Sequence, residues 1–242
     1  MWTLLLGTAL AFDQGPWQAV LDTYVDDQGL VNYAGIASSH ALEGYVAALA
    51  DVDEPLPRAD KMAFWLNAYN ALTVELMAEN PSVASIRDLD GGKVWDTRSF
   101  VVAHRPVTLN DIENQMLRIM GDPRVHSALN CASKGCPPLY RHAFDPAKLD
   151  DQLQETSRRW LETDGIKVDT AARTVKLSRI FDWYGADFQG MHIMNDIPNL
   201  SGKQEAAIDF AIRYLPADVG AFLKKGAYTV SYLDYDWSAN RR

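Results

Sequence analysis

The sequence predicts an α+β fold, helix-rich and in a single domain, and three observations carry that prediction. Arg58 to Glu79 is one long helical pattern that is apolar almost all the way round, the mark of a buried central helix. Short strand patterns occur as scattered hairpins between helices rather than as alternating βα units. The chain has 242 residues, 48% of them hydrophobic, enough for one continuous core.

Met1 to Ala11 is an apolar run ending in Ala9-Leu10-Ala11, the small-x-small pattern of a signal-peptidase site, although no Lys or Arg precedes it. Residues 1–11 are therefore expected to be an export signal, with Phe12 first in a mature single globular domain of residues 12–242. The expected location is extracytoplasmic, periplasmic or secreted. The run is too short to span a bilayer, and no later segment offers a membrane span.

A helix is expected over Trp17 to Tyr24. A reversal at Asp26-Asp27-Gln28-Gly29 follows; it has too few acidic residues, and no closing glutamate, for a calcium loop. A second helix, Ala41 to Ala50, ends before Pro55 and Pro57. The central helix comes next and stops at Asn80-Pro81. Asn67 and Asn70 lie three apart on it and so share a face, where each amide must find partners. They either tie neighbouring loops to the core or orient a catalytic group.

Phe100-Val101-Val102 and Pro106-Val107-Thr108 read as a hairpin, after which Thr108 or Asn110 caps the helix LNDIENQMLRIM. Glu113 stands one residue from its apolar stripe, paired or solvated if structural, a candidate carboxylate if not. A helix from Asp145 to about Leu161, strands at 166–168 and 174–177, an aromatic stretch from Ser178 to Phe188, a helix from Lys203 to Tyr214 and a strand from Tyr228 to Tyr232 complete the order.

The densest chemistry lies in Asp122 to Leu139, DPRVHSALNCASKGCPPL, with both cysteines of the chain, His126 and Lys134. A thiol nucleophile needs a base, and His126 is the obvious one. It stands five residues before Cys131, so a direct pair requires the backbone to break between them. Cys136 could fold back more freely, with Lys134 helping to hold its thiolate. Three arrangements compete: a Cys131–Cys136 disulfide pinning the loop, a thiolate paired with His126, or zinc held by His126, Cys131, Cys136 and His142, whose spacing fits no common zinc pattern. No metal or other cofactor is expected.

The blocks FWLNAYNALTVE, TLNDIENQMLR, DPRVHSALNCASKGCPPL, LSRIFDWYGADF and YLDYDWSAN stand in one order over about residues 24–240. Together they resemble the family known as domain of unknown function 547. That resemblance implies a single domain, often exported in bacteria, with Asn67, Asn70, Glu113, His126, Cys131, Cys136 and Pro137 as motif residues. It brings no established reaction.

Two functions follow from the residues. The first is a cysteine-dependent hydrolase or acyl transferase with Cys131 or Cys136 as nucleophile, His126 as base, and Asn67, Asn70 or Glu113 as orienter, acting on a small molecule or peptide. The second is a non-catalytic binding or assembly domain with a structural disulfide and a Trp/Tyr-rich recognition surface. A net charge of −9 and only three short basic pairs, Arg158-Arg159, Lys224-Lys225 and Arg241-Arg242, argue against a nucleic-acid partner.

Overall fold

A computed structural model of the chain describes residues 12–55, 57–191, 194–200 and 202–242, and the candidate export signal lies outside them. Helices α1 (Gly15–Tyr24), α2 (Tyr33–Ser39) and α3 (Glu43–Ala50) wrap the central helix α4 (Arg58–Glu79), whose residues from Met62 to Ala78 are buried save Glu75. The expected bounds of α4 hold because apolar side chains occupy all its faces and Asn80-Pro81 ends it. The Asp-Asp-Gln-Gly reversal is a turn: Asp26 Oδ1 accepts from the Gln28 and Leu30 amides, and Asp27 pairs with Arg141.

After α5 (Val94–Thr97), strands β1 (Phe100–Val102) and β2 (Arg105–Val107) form the expected hairpin, pairing Phe100 with Val107. The next helix is less regular than its sequence suggests. A capping box at Thr108 and Asp111 starts α6 (Leu109–Asp111), which widens into a π-helical stretch over Ile112–Leu117 and tightens to a 3-10 turn over Arg118–Met120. π-Helical turns of this kind are frequent at functional sites. This one buries Ile112, Glu113 and Leu117 together.

Helix α7 (Val125–Ala128) leads into the cysteine loop, and α8 (Leu149–Trp160) closes the first two-thirds of the chain. Strands β3 (Ile166–Asp169) and β4 (Thr174–Leu177) form the second hairpin. Helices α9 (Ile180–Trp183), α10 (Gly185–Gln189), α11 (Gly202–Ile212) and α12 (Ala217–Leu223) then carry the chain to β5 (Thr229–Tyr232), which joins β4 in parallel. The second sheet is thus a three-stranded mixed sheet rather than a lone hairpin, because four helices provide the crossover that a parallel pair requires.

The buried apolar side chains form two clusters. One gathers around α4, from Trp17 to Leu153 with Ala239; the other, from Trp160 to Leu223, lies around α11 and the mixed sheet. The fold is α+β and helix-rich. Among the described residues no helix is long and apolar enough to cross a membrane.

Candidate functional site

The two central-helix asparagines are both spent on backbone. Asn67 Nδ2 donates to the Phe144 carbonyl and its Oδ1 accepts from the Phe144 amide, at 2.9 and 2.8 Å. Asn70 does the same one helical turn on, donating to Ala128 O and accepting from Asn130 N, both at 2.9 Å. Neither amide faces an open cavity. The structure thus places Asn70 under the His126 to Cys136 segment as a brace, and Asn67 under the loop beyond it.

That brace sets the cysteine loop. Helix α7 stops at Ala128, Leu129 is extended, and Ala132 adopts a left-handed φ of 60°, so the backbone breaks between His126 and Cys131. A non-glycine residue there carries a strain of about 1–2 kcal/mol. Several bonds hold it. Asn130 accepts from the Ala132 amide through Oδ1 and donates through Nδ2 to the Pro137 carbonyl, clasping the loop at both ends. Asn240 of the C-terminal segment donates its amide to Ala132 O and its Nδ2 to Asn130 Oδ1.

Within this clasp Cys131 and Cys136 are bonded to each other, and among the described residues no free cysteine remains. Of the arrangements open in the sequence the disulfide is the one formed, and with both sulfurs in one bond there is no thiolate for His126 to activate in this state. Tyr235 Oη lies 3.1 Å from each sulfur, and Ser133 Oγ lies 3.0 Å from Tyr235 Oη. Burial raises the Tyr235 pKa well above that of free tyrosine, outweighing the hydrogen bond from Ser133, so the hydroxyl keeps its proton and donates it to sulfur. Lys134 does not serve the sulfurs. It is exposed, and its charge acts on Asp236.

The loop meets the C-terminal segment closely. The Gly135 amide donates to Asp236 O, and a Cβ at Gly135 would stand 2.9 Å from Asp236 N, a backbone atom that cannot step aside. Gly135→Ala is therefore expected to lower the unfolding free energy by about 1–2 kcal/mol through overpacking. Urea denaturation checks it, with an unchanged midpoint counting against the close fit.

His126 is oriented from the second half of the chain. Its Nε2–H donates to Asp187 Oδ2 at 2.7 Å, while Arg118 Nε and Nη2 donate to the same carboxylate at 2.6 and 2.9 Å. Burial raises the Asp187 pKa, but the hydrogen bonds and charges of His126 and Arg118 overcome it and hold the carboxyl well below the usual range. The imidazole stacks on Tyr184, 4.2 Å between centroids, and the Arg118 guanidinium stands 5.0 Å from that ring. The Tyr184 hydroxyl is hydrogen-bonded to Glu113, and burial first, then the Glu113 charge, raises its pKa.

These groups converge on a cleft of about 220 Å³ between the two apolar clusters. Glu113, His126 and the disulfide line it, with Tyr69 and Trp95 of the first cluster, Ile180, Tyr184 and Tyr235 of the second, and the indoles of Trp183 and Trp237. The aromatic wall is continuous: Tyr235 lies 4.5 Å from Trp237 and 4.8 Å from Trp183, and Trp237 is 6.1 Å from Trp95. Trp183, 47% exposed, stands at the mouth. Among the described residues Glu113 makes no ion pair, although it is only 9% exposed.

Of the six residues nominated from sequence, the fold brings Glu113, His126, Cys131 and Cys136 to one cleft and leaves Asn67 and Asn70 outside it. The orienter of His126 is Asp187, which sequence reasoning missed; an acidic residue inside the aromatic run FDWYGADF was its only signal. His142 packs against Tyr140, in a different pocket. The four-ligand zinc arrangement is thus not formed, and among the described residues no group of three or more His, Cys, Asp or Glu is placed to hold a metal.

Comparison with curated proteins and with solved structures finds no match. The family match begins at Glu54, before α4, and ends at Leu161, after α8, a narrower span than the resemblance over residues 24–240. It contains Glu113, His126 and both cysteines, while Asp187 and the aromatic wall from Trp183 to Trp237 lie beyond it. Residues 54–161 match the family described as Protein of unknown function, DUF547.

Proposed function

We propose that the chain is a binding domain whose cleft takes a small organic cation, an alkylammonium group or the cationic side chain of a peptide. The carrying observation is Glu113: a nearly buried carboxylate that makes no ion pair among the described residues, its charge felt by Arg118 only at longer range, set in a cleft walled by indole and phenol rings. Burying such a charge is costly unless something pairs with it. Aromatic faces attract a desolvated cation by about 2 kcal/mol or more and reject an anion. The cavity is smaller than the roughly 300–1,000 Å³ of drug-sized sites, which suits a head group.

Choline and its neutral carbon isostere 3,3-dimethyl-1-butanol form the test pair, followed by tryptophan fluorescence and calorimetry. Choline should bind saturably at least tenfold tighter than the alcohol, and Glu113→Gln should remove about tenfold of that affinity. Equal binding of the two, or no saturation by choline, rejects the cation reading.

A cysteine-dependent hydrolase or acyl transferase is the second reading. What favours it is the Asp187-held imidazole in the same cleft as the sulfurs. It concerns the reduced protein alone, with Cys131 or Cys136 as nucleophile and His126 as base. Ester hydrolysis that begins on reduction and disappears in His126→Ala would carry it; indifference to reductant would end it. The disulfide also supports an extracytoplasmic location, where such bonds persist. N-terminal sequencing of exported protein should begin at Phe12.

A further inference from the structure

The disulfide is built asymmetrically, and we infer that it is an exchange site: an external small thiol attacks Cys131 and Cys136 leaves as the thiolate. Both cysteines line the cleft, but Cys131 is half-buried whereas Cys136 is only 6% exposed, so the approach of a nucleophile favours Cys131. The donors favour the same direction. Cys136 Sγ accepts from the Cys131 amide at 3.0 Å and from Tyr235 Oη at 3.1 Å. Cys131 Sγ has hydroxyls alone, Ser133 Oγ at 3.3 Å and the shared Tyr235.

A backbone N–H and a phenol aimed at a sulfur stabilise negative charge on it, and a stabilised leaving thiolate speeds exchange. His126, on the same cleft, can take the proton of the incoming thiol. In the first step a bond forms between the external sulfur and Cys131 Sγ while the Cys131–Cys136 bond breaks. The electron pair of the broken bond stays on Cys136. A second thiolate then attacks the external sulfur of the mixed disulfide and releases Cys131. Two thiols are oxidised to one external disulfide, and the protein gains two electrons and, after proton uptake, two thiols.

Nothing in this chemistry depends on what else the cleft binds, so it stands or falls apart from the cation reading. Oxidised full-length protein is incubated with excess glutathione near neutral pH, quenched with iodoacetamide at intervals and mapped by mass spectrometry. The expected intermediate carries glutathione on Cys131 and the carbamidomethyl group on Cys136. Tyr235→Phe keeps the ring against Trp183 and Trp237 and should slow reduction by about three- to tenfold, the loss of one hydrogen bond to a sulfur that carries only part of the leaving charge in the transition state. Should that variant fail to fold, the position of glutathione on the wild-type protein decides alone. Glutathione found on Cys136, a native protein reduced only in denaturant, or a folded Tyr235→Phe protein reduced at the wild-type rate would each overturn the inference.

Discussion

Asn70→Ala is expected to lower the unfolding free energy by about 2–5 kcal/mol, read from the midpoint of a urea titration. The amide is 2% exposed and makes two bonds to buried backbone, one to Ala128 O and one to Asn130 N. Truncation leaves both groups without a partner in a space closed to bulk water, and each unsatisfied group costs roughly 1–3 kcal/mol. Asn67→Ala should cost a similar amount, since it too serves both groups of one residue, Phe144. The two should differ in the cleft. Asn70 holds the start of the clasp that Asn130 completes across the disulfide loop, so its loss should also shift the Trp183 and Trp237 fluorescence, while Asn67→Ala leaves that signal alone. A cost below about 1 kcal/mol for Asn70→Ala would mean that the loop holds its shape without the helix.

Those asparagines mark how far the sequence could be read. Their spacing on an apolar helix announced that both amides face one way and must be satisfied, and each proves to be a pin to a neighbouring loop. The pairing of the cysteines was one of three arrangements left open by spacing alone. What separates them is the break at Leu129 to Ala132, enforced by Asn130 and Asn240, and Asn240 comes from a segment more than a hundred residues away. Separation in sequence, 61 residues from His126, also hid Asp187. Local pattern tells which residues share a helix face, but the meeting of α7 with α10 is fixed by how the two apolar clusters pack. The π-helical turn around Glu113 was hidden for another reason: the 3.6-residue period fits Ile112, Met116 and Met120, and only tertiary packing selects the wider turn. Parallel pairing of β4 with β5 is likewise a crossover across four helices, beyond any hairpin signal.

Asp187→Asn is expected to cost about 2–4 kcal/mol near pH 7 and almost nothing in strong acid. The carboxylate, with its side chain 21% exposed, accepts from His126 and Arg118 Nε through Oδ2 and from Arg118 Nη2 through Oδ1, and an amide in its place loses the charge and one acceptor oxygen, turning an NH2 toward a donor. Its pH dependence follows from the depressed pKa. Burial works to raise that pKa, but the hydrogen bonds and charges of His126 and Arg118 prevail. A folded pKa below the unfolded one, about 3.9, means that the ionised group stabilises the fold above that pH. The contribution is lost as pH falls through the lower, folded value. Asp150, Asp209 and Asp236 are also depressed, so wild-type stability alone would blend several titrations. The difference between wild type and Asp187→Asn cancels that background. Measured by urea denaturation at successive pH values, it should be constant well above pH 4 and shrink steadily below it. A difference that stays flat into acid would show that Asp187 is not the charged hinge between the two halves of the cleft, and His126 would then owe its orientation to Tyr184 and Phe188 alone.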